Sequence, residues 1–254
     1  MDASTETEIS AKESINISAV DNSTIKAKTN AVSVAVAFGF TGIAASVGVS
    51  LAENQISNTV ESFVENVNIH TTDGDLTIFA LENAYVRSYS EAVAGSAGII
   101  FASSGGGAST DILINTTTNA YINDATVISG GDISVQAWSK SIGIADVGST
   151  SISLGIIGAA FGGSTADITI KPTINAYIDA SNISANNVLV KAYGNQPIVK
   201  AETTGLNLST GLSAGKSDSD VIIEADVKSG VYHHVNLLAE NSQSAHKMMI
   251  NQLS

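Results

Sequence analysis

The chain has 254 residues, a formal net charge of −13 and no cysteine. The length allows one or two ordinary domains. The acidic balance argues against a nucleic-acid partner, because such binding depends on lysine and arginine neutralising phosphates. Without cysteine, disulfides cannot stabilise the fold. Aromatic residues make up only 5% of the chain, so its apolar content is mainly small and aliphatic, as is typical of many thin strands.

At the amino end, Met1 leads directly into polar, repeat-like sequence without a basic region or an apolar stretch. We therefore predict that this segment carries no secretory signal peptide. At the other end, Ser254 closes what resembles the beginning of a further repeat. Both ends indicate either a piece of a longer array or a subunit that another copy continues.

The segment from Asp111 to Ala137 recurs, with changes, along the chain. Related segments begin at Glu53, Asp167 and Asp220. The four opening acids, with Asp111 second in order, follow one another after 58, 56 and 53 residues by subtraction. A second landmark, an alternating strand ending in alanine, opens in successive units at Ile15, Leu76, Ile133, Val188 and Val235. The sequence therefore predicts an array of about four repeats of 53–61 residues, as subtraction of these landmarks gives.

Each unit begins with two strands around a turn, which is Gly130-Gly131 in the central unit. The equivalent turns are Asp73-Gly74 and Asn186-Asn187. Glycine, asparagine and aspartate tolerate the positive φ that a tight corner requires. Apolar residues alternate along the flanking segments and helix signals are weak, so we predict strand nearly everywhere.

Three uncharged stretches, residues 31–52, 92–110 and 147–166, are each about as long as a membrane-spanning helix. They alternate like strands, however, and occupy the same phase of each repeat. The fourth copy carries Lys200, Glu202 and Lys216, and lipid would hold such charges only at high cost. We therefore predict no transmembrane segment.

Along these stretches, one face of the strand carries apolar side chains and the other carries small ones. A strand that has no solvated face is usually covered by other elements on both faces. An internal layer of the same chain is the favoured cover. Association with a neighbouring molecule is the alternative.

The favoured fold is an all-β, parallel β-helix, or β-solenoid, in which coils stack at about 4.8 Å. A repeat of this length is expected to make two or three coils, which would place Asn119 in register with Asn175, and Tyr121 with Tyr177, several coils apart. A β-propeller is the structural alternative. We assign residues 1–234 to the repeat array and residues 235–254 to a partial repeat or a C-terminal cap.

The segments NAYINDATVISGGDISVQA and NAYIDASNISANNVLVKA resemble the repeats of giant bacterial exoproteins, the filamentous-haemagglutinin-like and leukotoxin-like filamentous adhesins. The resemblance covers roughly residues 9–239. It implies a right-handed β-helical rod, secreted or exposed at the cell surface, that serves adhesion or carries another domain. The family's secretion domain and any adhesive tip are not present in this chain.

Two acidic pairs, Asp73 with Asp75 and Asp218 with Asp220, are interpreted as flanking turns, where carboxylate oxygens could hold Ca²⁺. Ordinary turn acids are the favoured interpretation, since the nonapeptide calcium-binding pattern is absent. The neighbouring residues His233 and His234 are expected at a solvated corner rather than at a metal. No other cofactor is predicted.

The acidic residues recur once per unit instead of clustering, and no nucleophile–base pair or phosphate loop is present, so we predict that the chain is not an enzyme. The favoured function is that of a rod segment of an extracellular bacterial adhesin, which would contact a host or neighbouring-cell surface. The alternative is a fibre subunit that assembles end to end or laterally. A polysaccharide-active enzyme is the least favoured function.

Overall fold

The computed structural model describes residues 7–39, 42–233 and 235–248. Within these ranges the chain forms seventeen β-strands and no helix, and all the strand pairings are parallel. The all-β prediction is therefore confirmed. The propeller alternative is wrong, because propeller blades are built from antiparallel strands. In the described part of the chain, no helix could cross a membrane.

The strands form three sheets. Sheet A contains β1 (Glu8–Ala11), β2 (Ile15–Ala37), β5 (Asn68–Thr71), β6 (Leu76–Gly98), β9 (Thr126–Ser129), β10 (Ile133–Leu154), β13 (Asn182–Gly194), β14 (Ile198–Ser209) and β17 (Asn236–Met248). Sheet B contains β3 (Ile43–Ile56), β7 (Phe101–Ile114), β11 (Ile157–Ile170) and β15 (Leu212–Ile223). Sheet C contains β4 (Thr59–Glu65), β8 (Thr117–Asn123), β12 (Thr173–Asp179) and β16 (Asp226–Val231).

One repeat forms one coil of a parallel β-solenoid. Leu76 pairs with Ile15 of the preceding repeat and with Ile133 of the following one, and Ile133 pairs in turn with Val188. The prediction of about four repeats of 53–61 residues is thus confirmed. The expectation of two or three coils per repeat is wrong, because the strand that opens each repeat continues without interruption into the uncharged stretch and forms one sheet-A strand of 22 or 23 residues.

The coils are wide and the stack is short. Strand β2 has 23 residues, a contour length of about 75 Å at the usual rise per residue. Four coils at the usual strand spacing rise only about 20 Å. Most of the surface therefore belongs to the outer faces of the sheets.

The first part of the interior, here named the wide lobe, lies between sheet C, the short strands β5 and β9, and the beginnings of the long sheet-A strands. Its buried side chains are mainly branched and aliphatic, and they repeat from coil to coil. Ile122 and Ile178, for example, are register partners and both are fully buried. This stack of like side chains holds the wide lobe together through apolar burial.

The second part, here named the narrow lobe, consists of two facing sheets formed by residues 29–39, 42–52, 90–110, 147–166 and 203–217. A row of glycines crosses its interior, since Gly48, Gly106, Gly162 and Gly215 are successive register partners. A Cβ atom on Gly48 would lie 2.8 Å from the carbonyl oxygen of Val93, and one on Gly106 would lie 2.9 Å from that of Thr150. The two sheets therefore approach so closely that only glycine fits in this row.

Hydroxyl groups connect the two sheets beside the glycine row. The Ser50 hydroxyl lies 3.0 Å from those of Thr29 and Ser90. The tip of the lobe is the end at which the chain passes from sheet A to sheet B. Further from this tip, the Asn54 amide donates to the Ser88 hydroxyl at 3.0 Å. Because Ser88 is the register partner of Ala27, these contacts show which residues of sheets A and B lie at the same distance from the tip.

The turn glycines have a different role from the one predicted. Gly39 is the only described glycine with positive φ. At Gly74 and Gly130 an added Cβ would instead overlap the backbone of the preceding coil, at Ser14 and Thr72 respectively. The expectation of positive φ at these turns is wrong, since glycine is required there by the close approach of stacked coils.

Positive φ occurs at another corner, between sheet C and the short strands. Asn66, Asp124 and Ala180 occupy this corner in three coils, with φ values of 53°, 48° and 46°. Asparagine and aspartate tolerate this conformation, whereas in alanine the Cβ is crowded by the backbone. In the third coil, Ala180 is therefore strained by the left-handed conformation that Asn66 and Asp124 tolerate in the first two coils.

Replacing Ala180 with glycine is expected to stabilise the fold by about 0.5–1 kcal/mol, because relief of the left-handed strain exceeds the entropy lost by glycine on folding. Chemical denaturation should show a higher midpoint for Ala180→Gly. The matched change Ala185→Gly, in strand β13, should lower the midpoint. An unchanged or lower midpoint for Ala180→Gly would contradict the argument.

The carboxyl end departs from the predicted alignment. Asn182 pairs with Asn236, and the register partner of Val188 is Ser242. Val235 therefore does not open the strand equivalent to Val188, because VNLLA aligns with the short strand that precedes it in the repeat. Strand β17 adds to sheet A as a further strand, while residues 249–254, the end of the segment expected to form a partial repeat or a cap, lie outside the described residues.

Candidate functional site

Stacked polar and aromatic residues cover the outer face of sheet C. The rings of Phe63, Tyr121 and Tyr177 stack with centroids 5.0 Å apart and interplanar angles of 6° and 1°. Asn175 donates to the side chain of Asn119 at 3.0 Å. The predicted Asn and Tyr ladders are thus confirmed, but their members lie in adjacent coils rather than several coils apart.

The acidic residues that mark the repeats form a column on the outer face of sheet B. Glu53, Asp111, Asp167 and Asp220 are successive register partners. Desolvation raises the pKa of Asp167, and the neighbouring carboxylates of Asp111, Asp220 and Asp218 raise it further. All four column residues lie inside the strands of sheet B, so the acid that opens each repeat segment in the sequence does not begin a strand.

The four acids considered for calcium are not brought together. Asp218 and Asp220 lie within strand β15, not at a turn as expected, and Asp218 forms an ion pair of 2.6 Å with Lys216. No group of three or more histidine, aspartate or glutamate side chains in the described residues is placed to hold a metal ion.

Asp73 and Asp75 do lie at a turn, before strand β6, and both are exposed. The Asp75 carboxylate accepts a hydrogen bond of 2.8 Å from the backbone N–H of Asp132 in the next coil. The Asp132 carboxylate accepts from the backbone N–H of Asn187 at 3.1 Å in the same way. Asp75 thus has a structural contact of its own, since it joins one coil to the next.

The two neighbouring histidines can be followed only in part. His233 Nδ1 lies 3.3 Å from the Asp179 carboxylate, and its side chain is largely exposed. His234 lies outside the described residues. His233 therefore matches the expected solvated corner.

The narrow lobe leaves apolar side chains exposed on both outer sides. We name the sheet-A side face A and the sheet-B side face B. In the first coil, Val32, Val34 and Val36 line face A, whereas Val47, Val49 and Leu51 line face B. Val34 is 70% exposed and Val47 69% exposed. An internal layer of the same chain thus covers these strands, as expected, but only on the side with the small side chains; the side with the larger apolar side chains has no cover within the described residues.

Cations gather on the sheet-A side, near face A. Arg87 and Lys200 both lie near the Asp146 carboxylate, at 3.5 and 3.6 Å. Lys26 and Lys28, in the first coil, are exposed and form no ion pair with a described carboxylate. Lys28 lies over the ring of Tyr89, 5.3 Å from its centroid. These two lysines were not singled out from the sequence, since their outward position depends on the pairing of the strands.

A buried carboxylate, Glu82, lies inside the solenoid. Its side chain is 0% exposed and its Oε2 accepts hydrogen bonds from Ser139 at 2.8 Å and Thr116 at 3.3 Å. Burial raises its pKa to about 7, and the charge of Asp21, its register partner, adds a smaller rise. Sequence reasoning missed Glu82, although its position in the alternation after Leu76, Ile78 and Ala80 already points it inward.

The fold and its outer columns define a parallel β-solenoid in which each repeat closes one coil. Comparison with protein-family models, with curated proteins and with solved structures finds no match to this chain. We therefore infer function from the faces, the columns and the stacking of the coils.

Proposed function

We propose that the chain is a non-enzymatic structural segment of an extracellular bacterial exoprotein, in which stacked coils form part of a rod. The rod contacts a host or neighbouring-cell surface or carries another domain. The observation that carries the proposal is the uninterrupted register: all three sheets run from the first coil to the fourth, and no inserted loop breaks the pairing of sheets B and C.

The resemblance to filamentous-haemagglutinin-like repeats supports the proposal at particular residues. Asn119-Ala120-Tyr121-Ile122 lies within strand β8, with its Asn and Tyr on the outer face and its Ala and Ile in the core. Gly130-Gly131-Asp132 forms the turn where successive coils touch. The residues that recur in each repeat are therefore the residues that the stacking of coils requires.

Surface location is tested on cells that produce the whole protein. Antibodies raised against this chain should label intact cells, and mild protease treatment of the cells should remove the label. Labelling that requires permeabilised cells would contradict the proposal. An antibody to a cytoplasmic protein is the control for intact membranes.

Removal of one complete coil is expected to leave a folded protein. Deleting residues 111–166 joins Thr110 to Asp167, the register partner of Asp111, so each column continues with one member fewer. Because each coil contacts only its neighbours, the far-ultraviolet circular dichroism spectrum should remain that of a strand protein.

Deletion of residues 111–138 is the matched control, since it joins sheet B to the middle of a sheet-A strand. This variant should aggregate or unfold. If the two deletions behaved alike, the assignment of one repeat to one coil would be wrong.

A self-associating subunit is the second candidate function. The exposed valines and leucine of the narrow lobe favour it, because soluble monomers rarely expose contiguous apolar patches of this kind. This candidate requires a surface that a second copy can cover.

A further inference from the structure

We propose that face A of the narrow lobe binds face B of a second copy of this chain, so that copies associate side by side. The inference goes beyond the proposed rod function and does not depend on cell-surface location. It rests on three features of the two faces: the position of their charges, the relief of their apolar side chains, and their size.

In the first coil the two faces carry opposite charges at matching positions. In the later coils the sheet-A side carries both signs, since Arg87 and Lys200 are paired there with Asp146 and Glu202. Asn54 contacts Ser88, the partner of Ala27, across the lobe. Glu53 on face B therefore lies at the same distance from the tip as Lys26 and Lys28 beside face A. When copies stack with their tips aligned, the lysine pair of one copy meets the acidic column of the next.

The acidic column needs a cationic partner more than the rest of the surface does. Its four carboxylates succeed one another at the strand spacing of about 4.8 Å, and their mutual repulsion contributes to the raised pKa of Asp167. On the opposite face, Lys26 and Lys28 have no carboxylate partner within the described chain. Contact between copies places these unsatisfied charges together, which specifies register and orientation.

The apolar side chains form ridges and grooves on both faces. On face B, Val47 in the first coil and Phe161 in the third stand on either side of Gly105 and Gly107 in the second. A shallow depression of about 540 Å³ lies over these glycines and extends past Phe161 to Ala214 and Lys216 in the fourth coil. Face A has the same relief, since the first-coil valines adjoin Gly95 and Ala97 in the second coil.

A stagger of one coil lets these surfaces interdigitate. The valine ridge on face A of one copy then enters the depression over the glycines on face B of the next, and Lys26 and Lys28 lie opposite Asp111, between Glu53 and Asp167. Face-to-face contact of two B faces is disfavoured, because it would bring two acidic columns together.

The faces are large enough for specific association. With the stagger of one coil, three strands of each face remain in contact, and a patch of that width from Lys26 to Val36 measures about 500 Å² at ordinary strand dimensions. Two such patches bury about 1,000 Å², at the lower bound for a specific interface. Since face A and face B are different surfaces, the contact is heterologous and adds copies without closing, each shifted by one coil along the solenoid axis.

The test is sedimentation velocity of the full chain over a range of concentrations, with two matched aspartate variants in strand β2. Val34→Asp places a charge on face A and should lower the association constant at least about 100-fold. Val20→Asp changes an exposed valine of the same strand, 55% exposed and distant from the lobe, and should leave association within about threefold. Equal effects of the two variants would overturn the proposal.

Charge reversal tests the orientation. Lys26→Glu with Lys28→Glu, or Asp111→Lys alone, should each weaken association about tenfold or more. A mixture of the two variant proteins should associate better than either alone, because an acidic face A then meets a less acidic face B. If the mixture does not, the lysines and the acidic column do not face each other and the proposal is wrong.

The remaining outcomes identify other occupants. A wild-type chain that stays monomeric at every concentration would overturn the proposal, and binding to phosphatidylcholine vesicles through Val34 would assign the face to lipid instead. Association that Val34→Asp leaves intact would show end-to-end stacking. In each of these cases, cell-surface labelling still decides the rod function separately.

Discussion

Replacing Gly106 with alanine is expected to lower the free energy of unfolding by about 2 kcal/mol, since the new methyl group has no space between the sheets of the narrow lobe. It would lie 2.9 Å from both the Thr150 carbonyl oxygen and the Ser151 hydroxyl. The carbonyl belongs to the backbone of a central strand and cannot rotate away, so the sheets must separate. Separation would also stretch the hydroxyl contacts beside the glycine row.

The matched control is Gly107→Ala, one residue further along strand β7. This glycine points outward and an added Cβ would have no heavy atom within 4 Å, so the variant carries the same change in strand propensity without the clash. Guanidinium denaturation should show the lower midpoint only for Gly106→Ala. Equal midpoints would mean that the sheets of the lobe are not closely packed.

In the wild-type protein, the free energy of unfolding is expected to fall as pH rises, and replacing Glu82 with glutamine is expected to remove this fall. Because burial raises the folded pKa of this carboxyl from 4.5 to about 7, the folded protein binds the proton more tightly than the unfolded chain. Unfolding then releases a proton between these two values, and the free energy of unfolding falls as pH rises through the window. The total fall is about 3 kcal/mol.

The measurement is a series of denaturation curves from pH 4 to pH 8. The wild-type protein should lose stability over this range through Glu82, whereas Glu82→Gln should lose less and be the more stable protein at pH 8. Glu65→Gln, at an exposed position of strand β4, should keep the slope of the wild type. Parallel curves for the wild type and Glu82→Gln would show that the carboxyl is solvated in the folded state.

The repeat length and strand content could be predicted from the sequence because they depend on recurrence and alternation. Asp111 and Asp167 are register partners as their spacing indicates, and Ile133 faces the core together with Val188. The strand that opens at Leu76 and the uncharged stretch that begins at residue 92 appear in the sequence as different parts of the repeat, but both belong to strand β6, since a change of composition along a strand does not interrupt its hydrogen bonding. Because the long strands appear divided in the sequence, two or three coils per repeat were expected, whereas the structure has one.

The candidate surfaces were less accessible to sequence reasoning. The uncharged stretches showed a small side and an apolar side, but they did not show which side another part of the chain would cover. The structure covers the small side, because glycine and alanine allow two sheets to approach closely, and leaves Val34 and Val47 exposed. Lys26 and Glu53 are far apart in the chain, so only their pairing across the lobe gives them a common position.

The sequence by itself determined that the chain is a stack of like units, since each repeat carries the alternation and the turn residues that one coil needs. Tertiary structure alone decided how wide a coil is, which face of each strand remains exposed, and that Asp21 lies beside Glu82 in the neighbouring coil. The physical reason is that a strand's alternation defines two faces without assigning either to the interior. That assignment depends on which sheets pack together, and small side chains such as those of Gly48 and Gly106 allow one packing that larger ones exclude.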